Sequence, residues 1–423
     1  MSTGYLLNAL NRPGNQGSGL PWVMICAWVF LALPIASMNA WGTWLFWHFE
    51  KSWPMVILTA TAFIVAAGVV SRLQLLPRSG GWGVVLLCVL LSFLAVVFIL
   101  AFWRLYYSRT FLATIYPLGL LILLAGCRKG IRIPPRRLAL VPGGLSDELD
   151  ALPGFQWQSL QKPELNEPVD GVVVDLHEEL PFSWGLFLSD CALKRIPVYH
   201  AAVIFEEETG RASMSHFSEG LLSAVQIATL HAAFKRVADV LLILLSLPVW
   251  APLFVAVALA VKMTSPGPVF FWQQRIGQSE RPFRMVKFRS MVVAAEANGS
   301  AFAAHQDARV TAVGKFIRKV RLDELPQFWN VLKGDMSLIG PRPEQVEFAR
   351  KFKEEIPYYG YRHVVKPGIT GWAQVNHGYA DDNDATQHKV EFDLYYIKHL
   401  NFWIDFLILI KTIRIVLTGA GAR

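Results

Sequence analysis

The chain has 423 residues, room for two or three domains, and a net charge of +8. Apolar residues make up 53% and charged residues 17%, against about 25% charged in an ordinary soluble domain. This excludes a disordered chain, a collagen and a disulfide scaffold, and it indicates a membrane protein with a substantial water-facing part, basic enough for anionic lipid heads, nucleotides or nucleic acid.

Four uncharged apolar stretches fill the first third, at residues 22–38, 53–70, 82–103 and 110–127. Each approaches the roughly 20 residues that a helix needs to cross a bilayer. Pro34 interrupts the first and Pro117 lies in the fourth. Trp22, Trp53, Trp82, Trp103, Tyr106 and Tyr107 stand near their ends, as in an interfacial aromatic belt. The expectation is a membrane α-helical bundle of four spans over residues 1–130. Arg128, Lys129, Arg132, Arg136 and Arg137 follow the fourth span, and the positive-inside bias then puts all later residues in the cytoplasm. Arg72 and Arg78 agree with this orientation, whereas Arg104 and Arg109 fall in an outer loop. Cys26, Cys88, Cys127 and Cys191 form no CxxC pair, which argues against a zinc site and a disulfide framework.

From Pro134 the chain reads as soluble. Apolar runs at 138–141, 172–175 and 196–198, with a helix-like stretch at 186–193, suggest a small Rossmann-like α/β domain over residues 131–225. Its first turn, Pro142-Gly143-Gly144, lacks a GxGxxG pattern, so a packing role is expected rather than dinucleotide binding.

The third domain is expected over residues 226–423, α/β-mixed and catalytic. It opens on residues 240–261, uncharged, with Lys235 and Arg236 before and Lys262 after. Basic flanks on both sides lack the asymmetry of a span. Pro248 follows Ser246, and a proline inside a helix removes a donor and clashes one turn back. The expectation is a re-entrant membrane helix over 238–262 that breaks and returns to the same face. The alternative is a fifth, kinked span, which would carry the basic region outside, away from nucleotides.

Residues 262–321 hold eleven Lys or Arg and three acids. In an extended strand Lys287 and Arg289 would share a face, one wall of a phosphate pocket, with Val286 and Phe288 on the other; a lipid-facing basic patch is the alternative. In Arg318-Lys319-Val320-Arg321-Leu322-Asp323-Glu324-Leu325-Pro326-Gln327, Pro326 suits a first helical turn. Asp323 and Glu324 then sit where a helix dipole favours anions, as a nucleophile, a base or Mg²⁺ ligands, or simply as an N-cap and its neighbour. Gly340-Pro341-Arg342-Pro343-Glu344 offers one arginine on a stiff turn, for phosphate contact or as a plain structural turn. Residues 366–375 read as a turn and a short strand. His388 and His399 lack ligand spacing. Residues 402–417 are apolar but include Asp405, Lys411 and Arg414, a pattern for an interfacial helix or a packed core helix.

Together these segments resemble the monotopic phosphoglycosyl transferase superfamily, the bacterial sugar transferases acting on polyprenyl phosphate, over about residues 230–417. The likeness runs through Lys235-Arg236 and Asp239, Ser246 and Pro248, Ser265-Pro266-Gly267-Pro268-Val269-Phe270, Gln274-Arg275-Ile276-Gly277, Lys287-Phe288-Arg289-Ser290-Met291, Arg321 to Gln327, Gly340-Pro341-Arg342-Pro343 and Thr370-Gly371-Trp372-Ala373-Gln374-Val375. The resemblance implies a bacterial inner-membrane enzyme with its catalytic domain facing the cytoplasm. Its donor would be a UDP-sugar and its acceptor undecaprenyl phosphate. Asp323 would attack the β-phosphate, UMP would leave, and the lipid would take the sugar phosphate from Asp323 as the first step of exopolysaccharide, capsule or O-antigen assembly. Glu324 would be a base or positioning partner, and Mg²⁺ would bridge Asp323 and the diphosphate. Arg318 would meet the lipid phosphate, and Lys287 and Arg342 the donor phosphates. Arg289, Arg321 and Gln374 complete the implied substrate-binding set, and Ser246 and Pro248 form the membrane re-entrant motif. A homodimer is left open. The rivals are a direct glycosyltransferase releasing UDP and a catalytically silent membrane scaffold. Nucleic acid binding is not expected, because no reading motif accompanies the basic region.

Overall fold

The structure is a computed structural model that describes residues 16–74, 76–79, 81–131, 136–152, 155–214, 217, 221–291, 309–376 and 383–418. It divides into two compact units, Met1–Arg136 and Arg137–Arg423.

The first unit is helical. α1 (Gln16–Ala27) passes through a π-helical turn (Trp28–Ala32) into α2 (Leu33–Trp41), followed by α3 (Trp53–Leu73), α4 (Gly81–Phe102) and α5 (Arg109–Ile131). The π turn lies just before Pro34, whose ring and missing N–H disturb the ladder there. Ala32, Ala36, Ala66 and Ala67 are buried between helices, and Trp28 stacks on Phe63 at 5.3 Å. Phe30, Trp82, Phe98 and Trp103 face outward. Small residues within and large apolar ones without suit a bundle whose solvent is lipid. Five helical stretches are long and apolar enough to cross a membrane: Pro21–Trp41, Glu50–Leu73, Trp82–Phe102, Arg109–Cys127 and Ala232–Thr264.

The second unit begins with an α/β sheet of β1 (Arg136–Leu140), β2 (Phe155–Ser159), β3 (Gly171–Val174) and β4 (Val198–His200), in the order β2-β1-β3-β4. The β1–β3 and β3–β4 pairs are parallel. A one-turn α6 (Ser146–Leu149), α7 (Phe182–Leu193) and α8 (Ala201–Thr209) complete it. Every residue of β3, Gly171-Val172-Val173-Val174, is buried, as a strand covered on both faces must be. Trp184, Phe187 and Cys191 of α7 close the core. In such sheets ligands enter at the carboxyl ends of the strands, where the order reverses. Here Asp175 fills that crevice, accepting from Leu145 N at 2.9 Å and His177 N at 3.0 Å. Gly144 stands at φ 58°, and a Cβ on it would lie 2.5 Å from Asp175 Oδ2 and 2.7 Å from Glu178 Cγ. The crevice is carboxylate-lined, the wrong sign for a pyrophosphate.

α9 (Leu221–Thr264) follows, 44 residues without a break. The expected division at Pro248 is absent: both Pro248 and Pro252 lie inside the helix. Local donors gather on the carbonyls ahead of Pro248. Ser246 Oγ donates to Leu242 O at 2.6 Å, and the Trp250 indole donates to Ile243 O at 3.0 Å. Such side-chain donors are how helices in lipid tolerate proline. From Lys235 to Val261 one face of α9 is covered by the rest of the unit. Lys235 bonds Asp405 at 2.8 Å and Asp239 accepts from Ser337 at 2.7 Å. Further on, Ile243 packs with Met285, Val331 and Met336, and Val257 and Val261 pack with Phe288 and Ile317. The opposite face exposes Leu241, Leu245, Val249, Val255 and Met263.

The catalytic scaffold continues with an antiparallel hairpin, β5 (Phe270–Ile276) and β6 (Pro282–Phe288), in which Phe271 faces Lys287 across the pair. Then come α10 (Ala312–Lys319), α11 (Gln327–Lys333), β7 (Ser337–Ile339), α12 (Val346–Glu355) and β8 (Gly368–Thr370), with β7 and β8 parallel. Within residues 366–375 the expected turn and short strand are present, the strand being β8, but Trp372 then starts a helix, α13 (Trp372–Asn376). α14 (Asn383–Lys398) and α15 (Phe402–Thr418) end the described chain. Ile404, Leu407, Ile408 and Ile410 bury one face of α15, the packed-core alternative for this segment.

α10 sits so close to the end of the hairpin that a Cβ on Gly314 would lie 2.0 Å from Ser290 O. Gly314→Ala is expected to displace α10 and to destabilise the unit by about 3 kcal/mol. Thermal melting of the purified protein in lipid nanodiscs checks this; an unchanged melting temperature contradicts it.

Candidate active site

Asp323 and Glu324 lie on a single 3-10 turn (Leu322–Glu324) between α10 and α11. The chain enters it through Arg321 at φ 56°, a left-handed conformation that a non-glycine residue adopts at a cost. Glu324 N returns to Arg321 O at 3.2 Å. Leu322 and Leu325 flank the acids and pack on the cluster of Val257, Val261, Phe288 and Ile317. The turn is therefore fixed against α9 and β6 together. Pro326 caps α11 instead of lying in its first turn, so both carboxylates precede the helix. At the far end of α11 the Arg236 guanidinium donates to the carbonyls of Val331 and Leu332, the latter at 2.6 Å, satisfying acceptors that a helix end leaves open.

The acids have unequal surroundings. Glu324 is buried, its Oε1 2.8 Å from Arg342 Nη2 and 4.0 Å from Lys287 Nζ. Burial opposes its charge, but Arg342, Lys287 and Arg321 outweigh this and hold it down at about 2. Asp323 is raised to about 6, by burial and then by the neighbouring Glu324 charge, against the pull of Lys287, Arg342 and Arg318. Lys287 is lowered to about 8 by burial and by Arg342. Two adjacent buried carboxylates thus differ: one is locked in an ion pair, and the other is a carboxylate near neutrality with capacity left for a new partner.

Of the expected site residues, the structure gathers Asp323, Glu324, Lys287, Arg342, Arg318 and Arg321. Arg318 Nε donates to Ser290 Oγ at 2.8 Å. Arg289 goes elsewhere. β6 ends at Phe288, so the alternation that would place Arg289 beside Lys287 stops one residue short. Arg289 instead donates to Pro266 O at 3.0 Å, Ser265 O at 2.8 Å and Ser265 Oγ at 2.7 Å, tying down the Ser265-Pro266-Gly267-Pro268 turn. Gln374 is on α13 and donates to Ile369 O at 3.2 Å. Ser246 and Pro248 belong to the middle of α9. His388 and His399 pair with Glu391 and Glu206.

Several residues that no motif spacing singled out build the site. Asn330 is buried on α11; its Oδ1 accepts from Val286 N at 3.1 Å and its Nδ2 donates to Arg284 O at 2.8 Å, docking α11 on the edge of β6. The Pro341-Arg342-Pro343 turn is gripped from several sides. Arg362 Nη2 donates to Arg342 O at 2.9 Å, Arg275 Nη1 to Pro343 O at 3.1 Å, and Gly368 N to Pro341 O at 2.9 Å. Arg362 is itself paired with Asp393 at 2.7 Å, and Glu344 with Lys389. These partners are scattered over more than a hundred residues of sequence; only Arg275, within Gln274-Arg275-Ile276-Gly277, and Glu344, beside the Pro-Arg-Pro run, lay in segments that the sequence marked.

Residues 230–419 match the family of bacterial sugar transferases. The chain is 44% identical over 397 residues to a protein of Aeromonas hydrophila named UDP-N-acetylgalactosamine-undecaprenyl-phosphate N-acetylgalactosaminephosphotransferase, covering 93% of this chain and 94% of that one. It is 46% identical over 181 residues to the UDP-glucose:undecaprenyl-phosphate glucose-1-phosphate transferase of Escherichia coli strain K12, covering 42% of this chain and 39% of the relative. A Caulobacter vibrioides protein of the same name is 39% identical over 190 residues, 44% of this chain and 71% of that protein. The chain belongs to the bacterial sugar transferases, within the phosphoglycosyl transferase superfamily. It is an enzyme of the sugar-phosphate transferase type.

Arg342→Leu leaves Glu324 buried with Lys287 and Arg321 as its remaining cations and without its closest hydrogen-bonded one, and is expected to destabilise the unit by about 3 kcal/mol at pH 7. In the wild type Glu324 is held below its ordinary range, so its contribution is present at neutral pH and fades as pH falls toward 2. In the variant a buried carboxyl takes up a proton more readily and relieves the penalty as pH falls. The gap in melting temperature between the two proteins should therefore narrow from pH 7 to pH 4; a gap that widens contradicts the assignment.

Proposed function

We propose that this enzyme transfers a sugar 1-phosphate from a UDP-sugar to undecaprenyl phosphate, releasing UMP, through a covalent intermediate on Asp323. The observation that carries the reading is the acid pair on one turn among Lys287, Arg318, Arg321 and Arg342, with Glu324 Oε1 2.8 Å from Arg342 Nη2. A carboxylate oxygen of Asp323 attacks the β-phosphorus, the bond to the α-phosphate oxygen breaks, and UMP leaves. An oxygen of undecaprenyl phosphate then attacks the same phosphorus, and the Asp323 carboxylate departs. Phosphoryl transfer is catalysed largely by positioning and charge neutralisation, which the basic residues supply. A carboxylate held at about 2 is a weak base, so Glu324 acts by positioning Arg342 and Lys287. Lys287 and Arg342 face the donor phosphates, and Arg318 the lipid phosphate.

The site fits Mg²⁺. That ion is usually held by one or two carboxylates together with substrate phosphates. Among the described residues no hydrogen bond or close ion pair occupies the Asp323 carboxylate, and its raised proton affinity marks a local shortage of positive charge. Asp323 would hold the ion, which would supply neutralisation of the diphosphate charge.

Among donors, UDP-N-acetylgalactosamine comes first, because the Aeromonas relative named for it matches along 94% of its length, whereas the Escherichia coli relative named for glucose matches over 39% of its length. The product would open assembly of a surface polysaccharide at the inner membrane. Incubation with Mg²⁺ and UDP-N-acetyl[³H]galactosamine, without lipid, should leave label on the protein and release UMP. Asp323→Asn should abolish both. Release of UDP would favour direct glycosyl transfer instead.

α9 is proposed to dip into the bilayer from the cytoplasmic side and keep both ends there, bending at Pro248 and Pro252 while its helical run continues. The support is its one-sided packing: a helix covered by the catalytic scaffold from Lys235 to Val261 cannot also thread through the hydrocarbon and out. In a background free of native cysteines, Phe234→Cys and Met263→Cys, both at exposed positions, should react with a membrane-impermeant maleimide from the same side. Labelling from opposite sides would make α9 a fifth span.

A further inference from the structure

α14 presents two charged faces, and the α/β part of the unit holds one of them. Lys389 and Asp393, one turn apart, face the Pro-Arg-Pro turn: Lys389 bonds Glu344, and Asp393 bonds Arg362 at 2.7 Å, whose guanidinium holds Arg342 O at 2.9 Å. Glu391 and Lys398 face the segment that ends the α/β sheet. Arg211 Nη1 meets Glu391 Oε2 at 3.2 Å, Ala212 N donates to Glu391 O at 3.0 Å, and Lys398 Nζ bonds Glu206 Oε1 at 2.9 Å. A further tie comes from Trp372, fully buried beside α14, whose indole donates to Gly210 O at 2.8 Å.

We infer that Glu206 and Arg211, at the end of the Rossmann-like domain, are positioning residues of the transferase reaction: they fix α14, which fixes Arg362 and thereby aims Arg342 at Glu324. The inference rests on the proposed reaction. Its physical content is a contiguous chain of ion pairs and hydrogen bonds from one domain to the guanidinium of the active site, and such a chain becomes coupling only when energies at its two ends depend on each other.

The test uses the full-length enzyme in lipid nanodiscs, assayed for UMP release from UDP-N-acetylgalactosamine with undecaprenyl phosphate. Arg211→Gln and Glu206→Lys are each expected to lower kcat about tenfold, as small misplacements of catalytic groups do, with KM for both substrates within about twofold of wild type. Adding Lys398→Glu to Glu206→Lys restores an ion pair of reversed polarity and should recover most of kcat, an outcome that also shows the fold is intact. In an Arg342→Lys background, Arg211→Gln should cost less than a further twofold, because the group it positions has gone. Unchanged kcat in Arg211→Gln, failure of the exchange to recover activity, or losses that multiply in the Arg342→Lys background would each overturn the inference. A wild-type enzyme that releases no UMP would count against the proposed reaction, and then label retained on Asp323 without lipid, compared between wild type and Arg211→Gln, reads the positioning effect directly.

Discussion

The structure turns on the problem of keeping two adjacent carboxylates in a buried place. Two like charges side by side, out of water, cannot both stay ionised without cations. The chain resolves this unequally. Glu324 receives Arg342 at 2.8 Å and Lys287 at 4.0 Å, whereas Asp323 is left with a raised proton affinity. The nucleophilic role proposed for Asp323 needs that inequality, since a carboxylate fully satisfied by a protein cation has little reason to approach phosphorus. Had the partners been divided evenly, both acids would be structural.

Much of the catalytic scaffold serves to hold those cations still. Arg342 sits on a turn that Arg362, Arg275 and the backbone of β8 grip through its carbonyls. Lys287 sits on β6, whose outer edge is completed by the Asn330 side chain of the same helix that follows the acids. The acidic turn and its lysine therefore move together or not at all. A buried arginine such as Arg362 is tolerated because Asp393, Tyr359 and a main-chain carbonyl take its donors; each alone would leave an uncompensated charge.

What the sequence revealed, and what it hid, divides by range of interaction. The apolar stretches of the first unit, the β3 run of Val172-Val173-Val174 and the Asp323-Glu324 pair were legible because the information is local: hydropathy, β-branching, turn residues. Arg289 was misplaced because strand alternation is a valid rule only while the strand lasts, and β6 stops at Phe288. The break expected at Pro248 failed for a related reason. Proline removes one donor, but the Ser246 hydroxyl and the Trp250 indole sit on neighbouring carbonyls, and the helix continues. Asn330, Arg362 and Asp393 were invisible, since their roles arise only when β5, β7, β8 and α14 converge.

The closeness of the site to α9 follows from the same packing. Leu322 and Leu325 bracket the acids and touch the cluster that Val257 and Val261 of α9 build with Phe288. Asp323 is thus separated from α9 by a single layer of side chains. Arg236, from the same helix, holds the other end of α11. The turn carrying the acids is fastened to α9 through Leu322 and Leu325, and the far end of α11 through Arg236, so no rigid-body swing can lift Asp323 away from α9. In the proposed reaction, between one water-soluble and one lipid-anchored phosphate, that fixed placement does what a mobile domain could not: it keeps Asp323 where the two substrates would overlap.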